Sequence, residues 1–99
     1  MARNKFDGVI EAVRYQPDGK IALVSAYERR GAVWSDRVLL ERGELIERLK
    51  RGKRFVTGQR KEYVGGVFET GPSVRVVQGM LVTQEQAAKR DLLGDVPIF

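Results

Sequence analysis

A Pro-Asp-Gly turn between two β-rich segments constrains the fold more than any other feature of this sequence. Proline presets the φ angle at residue 17, and Gly19 accepts the left-handed conformation that reverses the chain. Residues 5–15 before the turn and residues 20–28 after it are rich in β-branched residues and alternate apolar with polar positions. The pattern predicts a β-hairpin, with Ile21 on the face opposite Val24.

The rest of the chain continues mainly as short strands. A change to helical spacing at residues 41–51, ended by Gly52, predicts one short helix. A capping-box pattern that begins at Thr83 predicts a second, peripheral helix ending at Gly94. The remaining predicted strands span residues 33–40, 53–61 and 73–78, with a bend or bulge near Gly65-Gly66.

The order of these elements, β-β-β-α-β-β with a peripheral C-terminal helix, predicts a mainly β fold. Closing a sheet removes its exposed edges, so we expect a small antiparallel barrel, OB-like or SH3-like. A helix packed on an open antiparallel sheet is the alternative. We assign residues 1–79 to the barrel domain and residues 80–99 to a peripheral helix and apolar tail that form no independent domain. No motif identifies a family, and the fold class alone does not determine a function.

Chain length and composition set the class of protein. A chain of 99 residues with 42% hydrophobic residues can close one modest core. No window approaches the roughly 18 consecutive apolar residues of a membrane span, and the first residues run into a strand pattern rather than an apolar signal segment. We therefore expect a cytoplasmic location, and the absence of cysteine is compatible with a reducing compartment.

Catalytic and metal-binding patterns are weak. The chain has no His and no Cys, which excludes Ser-His-Asp and Cys-His catalysis and zinc ligation by nitrogen or sulfur. Glu44 and Glu47 have a spacing that could pair two carboxylates, but a helix dipole favours acidic residues in a first turn for structural reasons. Gly65-Gly66 lacks the Gly-Lys-Ser/Thr of a phosphate loop. We predict a non-enzymatic protein without metal or cofactor; an enzyme would need substrate-supplied chemistry or a cofactor site without a local motif.

Basic residues are concentrated at residues 48–61 of a chain whose net charge is +5. The stretch contains no acidic residue, and we call its cations the basic segment: Arg48, Lys50, Arg51, Lys53, Arg54, Arg60 and Lys61. Such a stripe attracts phosphates without sequence discrimination, so the leading hypothesis is binding of single-stranded nucleic acid or RNA. In the alternative, the segment is a solvated face in which Arg48 and Lys50 stabilise the helix C-terminus and the other cations pair with Glu41, Glu44 or Glu62.

Aromatic residues and distant arginines bear on the same hypothesis. Phe55, and also Tyr63 or Trp34, would offer stacking surfaces for bases if exposed. The apolar neighbours of Trp34 and Phe55 favour a core position for both. Three arginines would extend the basic stripe only if folding brings them beside it: Arg29, Arg30 and Arg75.

The apolar tail suggests a second function. Val96, Ile98 and Phe99 are apolar and close to the end of the sequence. They could dock on a partner or on a second copy by adding a strand to an open sheet edge, as in a protein-interaction or structural subunit that self-associates. Alternatively, the tail folds back on its own domain.

Overall fold

The computed structural model describes residues 6–31, 33–60, 68–83, 91–94 and 96–99, with the backbone alone for Arg60. The described chain is a small, compact, mainly β domain, which confirms the predicted class. Its strands and helix are β1 (Gly8–Tyr15), β2 (Ile21–Arg30), β3 (Val33–Trp34), β4 (Val38–Glu41), α1 (Arg42–Lys50), β5 (Phe55–Arg60), β6 (Phe68–Ser73), β7 (Arg75–Val77) and β8 (Met80–Val82). Within these ranges no helix has the length and apolar character needed to cross a membrane.

The predicted hairpin is present as β1 and β2. The two strands pair antiparallel, and the turn between them is closed by two backbone hydrogen bonds. The N–H of Gln16 donates to the carbonyl of Lys20 over 2.7 Å, and the N–H of Gly19 donates to Gln16 over 2.9 Å. Gly19 has a φ of 86°, the left-handed conformation that the turn requires.

The main sheet is mixed and open, with the order β3-β2-β1-β5-β6 and with β4 also paired to β2. β5 runs parallel to β1, with residues 8–10 opposite residues 55–57. The helix α1 carries the chain from β4 on one side of the hairpin to β5 on the other, and this crossover sets the parallel direction. The expectation of a wholly antiparallel sheet is therefore wrong at this pair. β7 and β8 form a separate two-stranded sheet.

The predicted third strand is divided into β3 and β4, which both pair with β2. Ser35 lies between them, and its hydroxyl accepts the N–H of Glu28 over 3.0 Å. The N–H of Ser35 donates to the carbonyl of Glu28 over 2.8 Å. The side chain of Ser35 thus takes the place of one backbone hydrogen bond between the strands, and this divides the predicted strand into β3 and β4.

A bulge in β2 places Ile21 on the same face as Val24, whereas the sequence pattern predicted opposite faces. The register passes over Ala22, because Ile21 and Leu23 pair with consecutive residues of β1. An extra residue in one strand reverses the alternation, so Ile21 lies with Val24 in the core. Strand alternation alone could not show this.

The hydrophobic core lies between the main sheet, α1 and the β7-β8 sheet. Its largest fully buried side chains include Phe55 and Leu45, from β5 and α1. Leu81 from β8 and Leu93 from the C-terminal part join the same cluster. The chain after residue 79 therefore contributes to the core that the earlier strands form.

The described part of the predicted C-terminal helix is not helical. Residues 84–90 lie outside the described ranges, whereas Leu92 forms a parallel bridge with Val82. The N–H of Leu92 donates to the carbonyl of Leu81 over 2.8 Å. Asp91 and Leu93 on either side are buried, so this end of the segment is not peripheral. The expectation fails here because long-range pairing, which local capping patterns do not report, holds the backbone extended.

The carboxylate of Asp91 joins three elements of the fold. It accepts the N–H of Ile21 at the start of β2 over 2.7 Å and the N–H of Leu81 in β8 over 2.9 Å. Arg42, the first residue of α1, donates to both carboxylate oxygens, over 2.7 and 3.2 Å. Asp91 is only 1% exposed, and a buried charge is tolerated when it is paired and hydrogen-bonded in this way. No local pattern in the sequence predicted this contact.

Protonation of Asp91 is expected to weaken the fold. Burial raises the pKa of Asp91, but the hydrogen bonds from Arg42, Leu81 and Ile21 and the charge of Arg42 outweigh burial and hold the pKa below its ordinary value of 3.8. A lowered pKa in the folded state stabilises the protein above pH 3.8, and this contribution is lost as the pH falls through the folded-state pKa. The stability difference between the wild type and Asp91→Asn, measured by urea unfolding, should therefore shrink on acidification below pH 3.8. A difference independent of pH would contradict the assignment.

Aromatic side chains connect the two edges of the main sheet. β3 and β6 are at opposite ends of the strand order, yet the ring centroids of Trp34 and Phe68 are 4.7 Å apart. Phe6 and Tyr27 extend the cluster, with centroid distances of 5.7 Å to Trp34 and 5.3 Å to Phe68 respectively. The sheet is therefore curled enough for its edges to meet through side chains. Trp34 is half-buried within this cluster.

The apolar tail pairs with β1 of its own chain. The N–H of Val13 donates to the carbonyl of Pro97 over 2.9 Å, and the N–H of Phe99 donates to Val13 over 3.0 Å. The guanidinium of Arg14 lies 4.8 Å from the centroid of the Phe99 ring, at a distance suited to a cation–π contact. Ile98 remains 73% exposed. Of the two arrangements expected for the tail, the structure shows the fold-back.

Candidate functional site

An open cleft of about 620 Å³ lies between the loop that follows α1 and the junction of β6 with β7. No acidic residue is among the described residues that line it, and four of them are cationic: Lys50, Lys53, Arg54 and Arg75. Phe55 and Val74, both buried, also line it and form its apolar base. We call this site the basic cleft.

The end of α1 determines how the cationic loop leaves the helix. Gly52 has a φ of 87°, so the chain turns where the sequence predicted the helix to stop. The N–H of Gly52 donates to Leu49 and the N–H of Lys53 donates to Arg48, each over 3.1 Å. These two bonds form a Schellman motif, which satisfies carbonyls at the helix end and fixes the position of Lys53 beside it.

Arg54 is held in place through its backbone. Its N–H donates to the carboxylate of Asp7 over 2.9 Å, and its carbonyl accepts the N–H groups of Asp7 and Gly8 over 2.6 and 3.1 Å. On the other side of the cleft, the N–H of Val74 donates to the carbonyl of Phe55 over 2.8 Å. The backbones on both sides are thus anchored, while the side chain of Arg54 is exposed.

Three of the four charges of the basic cleft are available to a ligand. Lys50, Lys53 and Arg54 are exposed and make no ion pair or side-chain hydrogen bond with other described residues. Arg75 is exposed on β7, whose backbone pairs with β8. Like charges gathered around a concave surface raise the local positive potential and attract an anion with several charges.

Two cations of the basic segment have structural partners instead. Arg48 is half-buried and forms an ion pair of 2.8 Å with Glu28, and it also donates to the carbonyl of Glu44. Arg51 forms an exposed ion pair of 2.8 Å with Glu47, one helical turn away. The solvated-face alternative expects ion pairs of this kind, but with Glu41, Glu44 or Glu62 as partners rather than Glu28 and Glu47. Neither arginine lines the basic cleft.

The remaining predicted cations are placed as follows. Arg60 pairs through its backbone with Phe68, and Lys61 lies outside the described residues. The structure therefore brings together three members of the basic segment with Arg75, one of the three arginines that depended on folding. The other two, Arg29 and Arg30, are at the end of β2 and do not line the cleft.

Among the described aromatic residues, none supplies a stacking platform in this cleft. Phe55 is only 1% exposed and belongs to the core, as its apolar neighbours indicated. Trp34 packs against Phe6 and Phe68 in the edge cluster, and Tyr63 lies outside the described residues. The cleft thus offers charges for phosphate groups rather than rings for bases.

The acidic residues that the sequence singled out have structural roles in the described chain. The N–H of Glu41 donates to Glu44 over 3.0 Å at the start of α1, and Glu47 pairs with Arg51. No cluster of three or more acidic residues that could hold a metal ion is found among the residues that the structure describes.

Comparison of the chain with protein-family models, with curated proteins and with solved structures finds no match. The chemistry of the site therefore has to be inferred from its own residues.

Proposed function

We propose that the protein is a non-enzymatic module that binds single-stranded nucleic acid or RNA by its phosphates. The observation that carries this proposal is the basic cleft, whose described lining residues include four cations and no carboxylate. A nucleic-acid backbone presents a phosphate on every nucleotide, so an open cleft with several cations suits it better than it suits a single small anion. Because the backbones on both sides of the cleft are anchored, the protein loses less conformational entropy when a ligand binds.

The chemistry of the cleft favours contact without sequence recognition. Arg54 can donate two parallel hydrogen bonds to one phosphate, whereas Lys50 and Lys53 act as point charges. Phosphate contacts position a nucleic acid but do not read its bases. We therefore expect similar affinities for oligonucleotides of different base composition.

A salt titration tests the proposal. If Lys50, Lys53 and Arg54 each contact a phosphate of a single strand, raising the salt from 50 to 200 mM should weaken binding by about 20-fold, because releasing counterions into a more concentrated solution gains less entropy. Fluorescence anisotropy of a labelled oligouridine, titrated with protein at both salt concentrations, measures the effect. Affinity that ignores salt, or no binding at tens of micromolar protein, would overturn the proposal.

A partly open barrel is the fold that we propose for this module. The contact of Trp34 with Phe68 between opposite sheet edges supports strong curvature, as barrel-like sheets require. The assignment to an OB-like or SH3-like type, and the cytoplasmic location, stay predictions.

Self-association through the tail is the second candidate. Ile98 is 73% exposed, and an exposed apolar side chain beside a paired strand is suited to a protein contact. However, the backbone of the tail is already paired with Val13 of the same chain. One hydrogen-bonding edge of the tail is therefore occupied within the chain, which leaves only the other edge for a second copy.

A further inference from the structure

A second cleft, of about 530 Å³, lies along β5 and β6 next to the basic cleft. Phe55 lines the basic cleft, and Thr57 and Gln59 line the second one. These alternate residues of β5 lie on one face of the strand, and Gln59 is about 13 Å from Phe55 in an extended strand. A short oligonucleotide is long enough to span this distance.

The second cleft differs from the first in its chemistry. None of its described lining residues is cationic, and its functional side chains are those of Thr57, Gln59, Glu69, Thr70 and Thr83. We call it the polar cleft. The carboxylate of Glu69 repels phosphate, whereas hydroxyl and amide groups both donate and accept hydrogen bonds. The occupant that fits is a neutral group bearing hydroxyls.

The exposed side chains of the polar cleft are available for such a group. Gln59, Glu69 and Thr70 are exposed and make no ion pair or side-chain hydrogen bond with other described residues. Thr57 is buried and its hydroxyl faces the carbonyl of Pro72 at 3.5 Å, so it contributes less. The ligand-facing chemistry of the polar cleft is thus one carboxylate acceptor beside an amide and a hydroxyl.

We propose that the polar cleft holds the ribose next to the phosphates bound in the basic cleft, so that the protein prefers RNA over DNA. The inference rests on the proposed function. A ribose 2′-hydroxyl can donate to Glu69 and accept from Gln59, which lie directly opposite each other on β6 and β5, and it is the group by which a protein distinguishes RNA from DNA. Deoxyribose leaves these polar groups without that partner.

Paired oligonucleotides test the inference. Labelled oligouridine and oligodeoxyuridine of equal length differ only in the 2′-hydroxyl. Anisotropy titrations at low salt should show about tenfold tighter binding of oligouridine, since a hydrogen bond to a charged group contributes about that factor. In Gln59→Leu/Glu69→Leu, this preference should fall below about threefold, while the affinity for oligodeoxyuridine does not fall.

The controls separate this inference from the proposed function. Gln16→Leu makes a similar change at an exposed turn outside both clefts and should keep the preference.

Equal, salt-dependent affinities for the two oligomers would overturn ribose recognition and leave phosphate binding in place. A preference retained in the double variant would overturn its assignment to the polar cleft. No binding of either oligomer would overturn both proposals. Unchanged thermal unfolding by circular dichroism establishes that each variant is folded.

Discussion

Replacing Asp91 with alanine is expected to lower the free energy of unfolding by about 3–5 kcal/mol. The substitution leaves the N–H groups of Ile21 and Leu81 without their acceptor in the protein interior. It also leaves the guanidinium of Arg42, which is 23% exposed, without its partner carboxylate. Because a domain of this size is stable by about 5–15 kcal/mol, the loss is a large part of the total.

Urea unfolding followed by the fluorescence of the single tryptophan, Trp34, measures this change. Asp36→Ala is the matched control, since Asp36 is exposed and its carboxylate makes no contact with other described residues; it should change stability by less than about 0.5 kcal/mol. If Asp91→Ala does not fold, urea unfolding is measured on Asp91→Asn instead, which keeps one acceptor oxygen. Equal stabilities for the aspartate variants and the control would contradict the structural role of Asp91.

Reversing two charges of the basic cleft is expected to weaken oligouridine binding about hundredfold at 0.1 M salt. In Lys53→Glu/Arg54→Glu, two phosphate contacts are lost and two like charges face the nucleic-acid backbone. The salt dependence should become shallower as well, because fewer counterions are released on binding. Both side chains are exposed, so the substitutions should leave the fold intact.

A second double variant controls for net charge. Arg30→Glu/Arg51→Glu changes the charge by the same amount at exposed residues that do not line the basic cleft. It should weaken binding by less than about tenfold, through the long-range field alone. Equal losses in the two double variants would mean that net charge, rather than the cleft, determines binding.

Local signals in the sequence predicted the parts of the fold that depend on neighbouring residues. The turn at Gly19 and the helix stop at Gly52 both have positive φ, which glycine adopts readily. The period of apolar residues predicted α1 to within one residue at each end. The core position of Phe55 followed from its apolar neighbours.

Long-range contacts determine what the sequence could not predict. Asp91 binds the N–H of Ile21, which lies 70 residues away, so no local window contains both partners. The bulge at Ala22 depends on pairing with β1, and the parallel direction of β5 depends on where α1 returns the chain. The pattern around Thr83 is a valid helix signal that the pairing of Leu92 overrides in the described residues.

The candidate site was predictable only in part, because it combines residues that are neighbours in the sequence with one that is distant. The sequence placed Lys50, Lys53 and Arg54 in one basic segment, and all three line the cleft. It did not show that Arg48 pairs with Glu28, 20 residues away. Nor could it place Arg75 opposite the loop, because that position depends on β6 and β7.

An amide chemical-shift titration tests the central claim most directly, since it locates the bound oligonucleotide on the protein. Unlabelled oligouridine is added at low salt to protein labelled with ¹⁵N. The largest shifts should fall in the loop Gly52–Arg54 and around Arg75, with smaller shifts along Gln59 and Thr70. Shifts confined to other surfaces, or no shifts at saturating oligouridine, would contradict the assignment of the basic cleft as the nucleic-acid site.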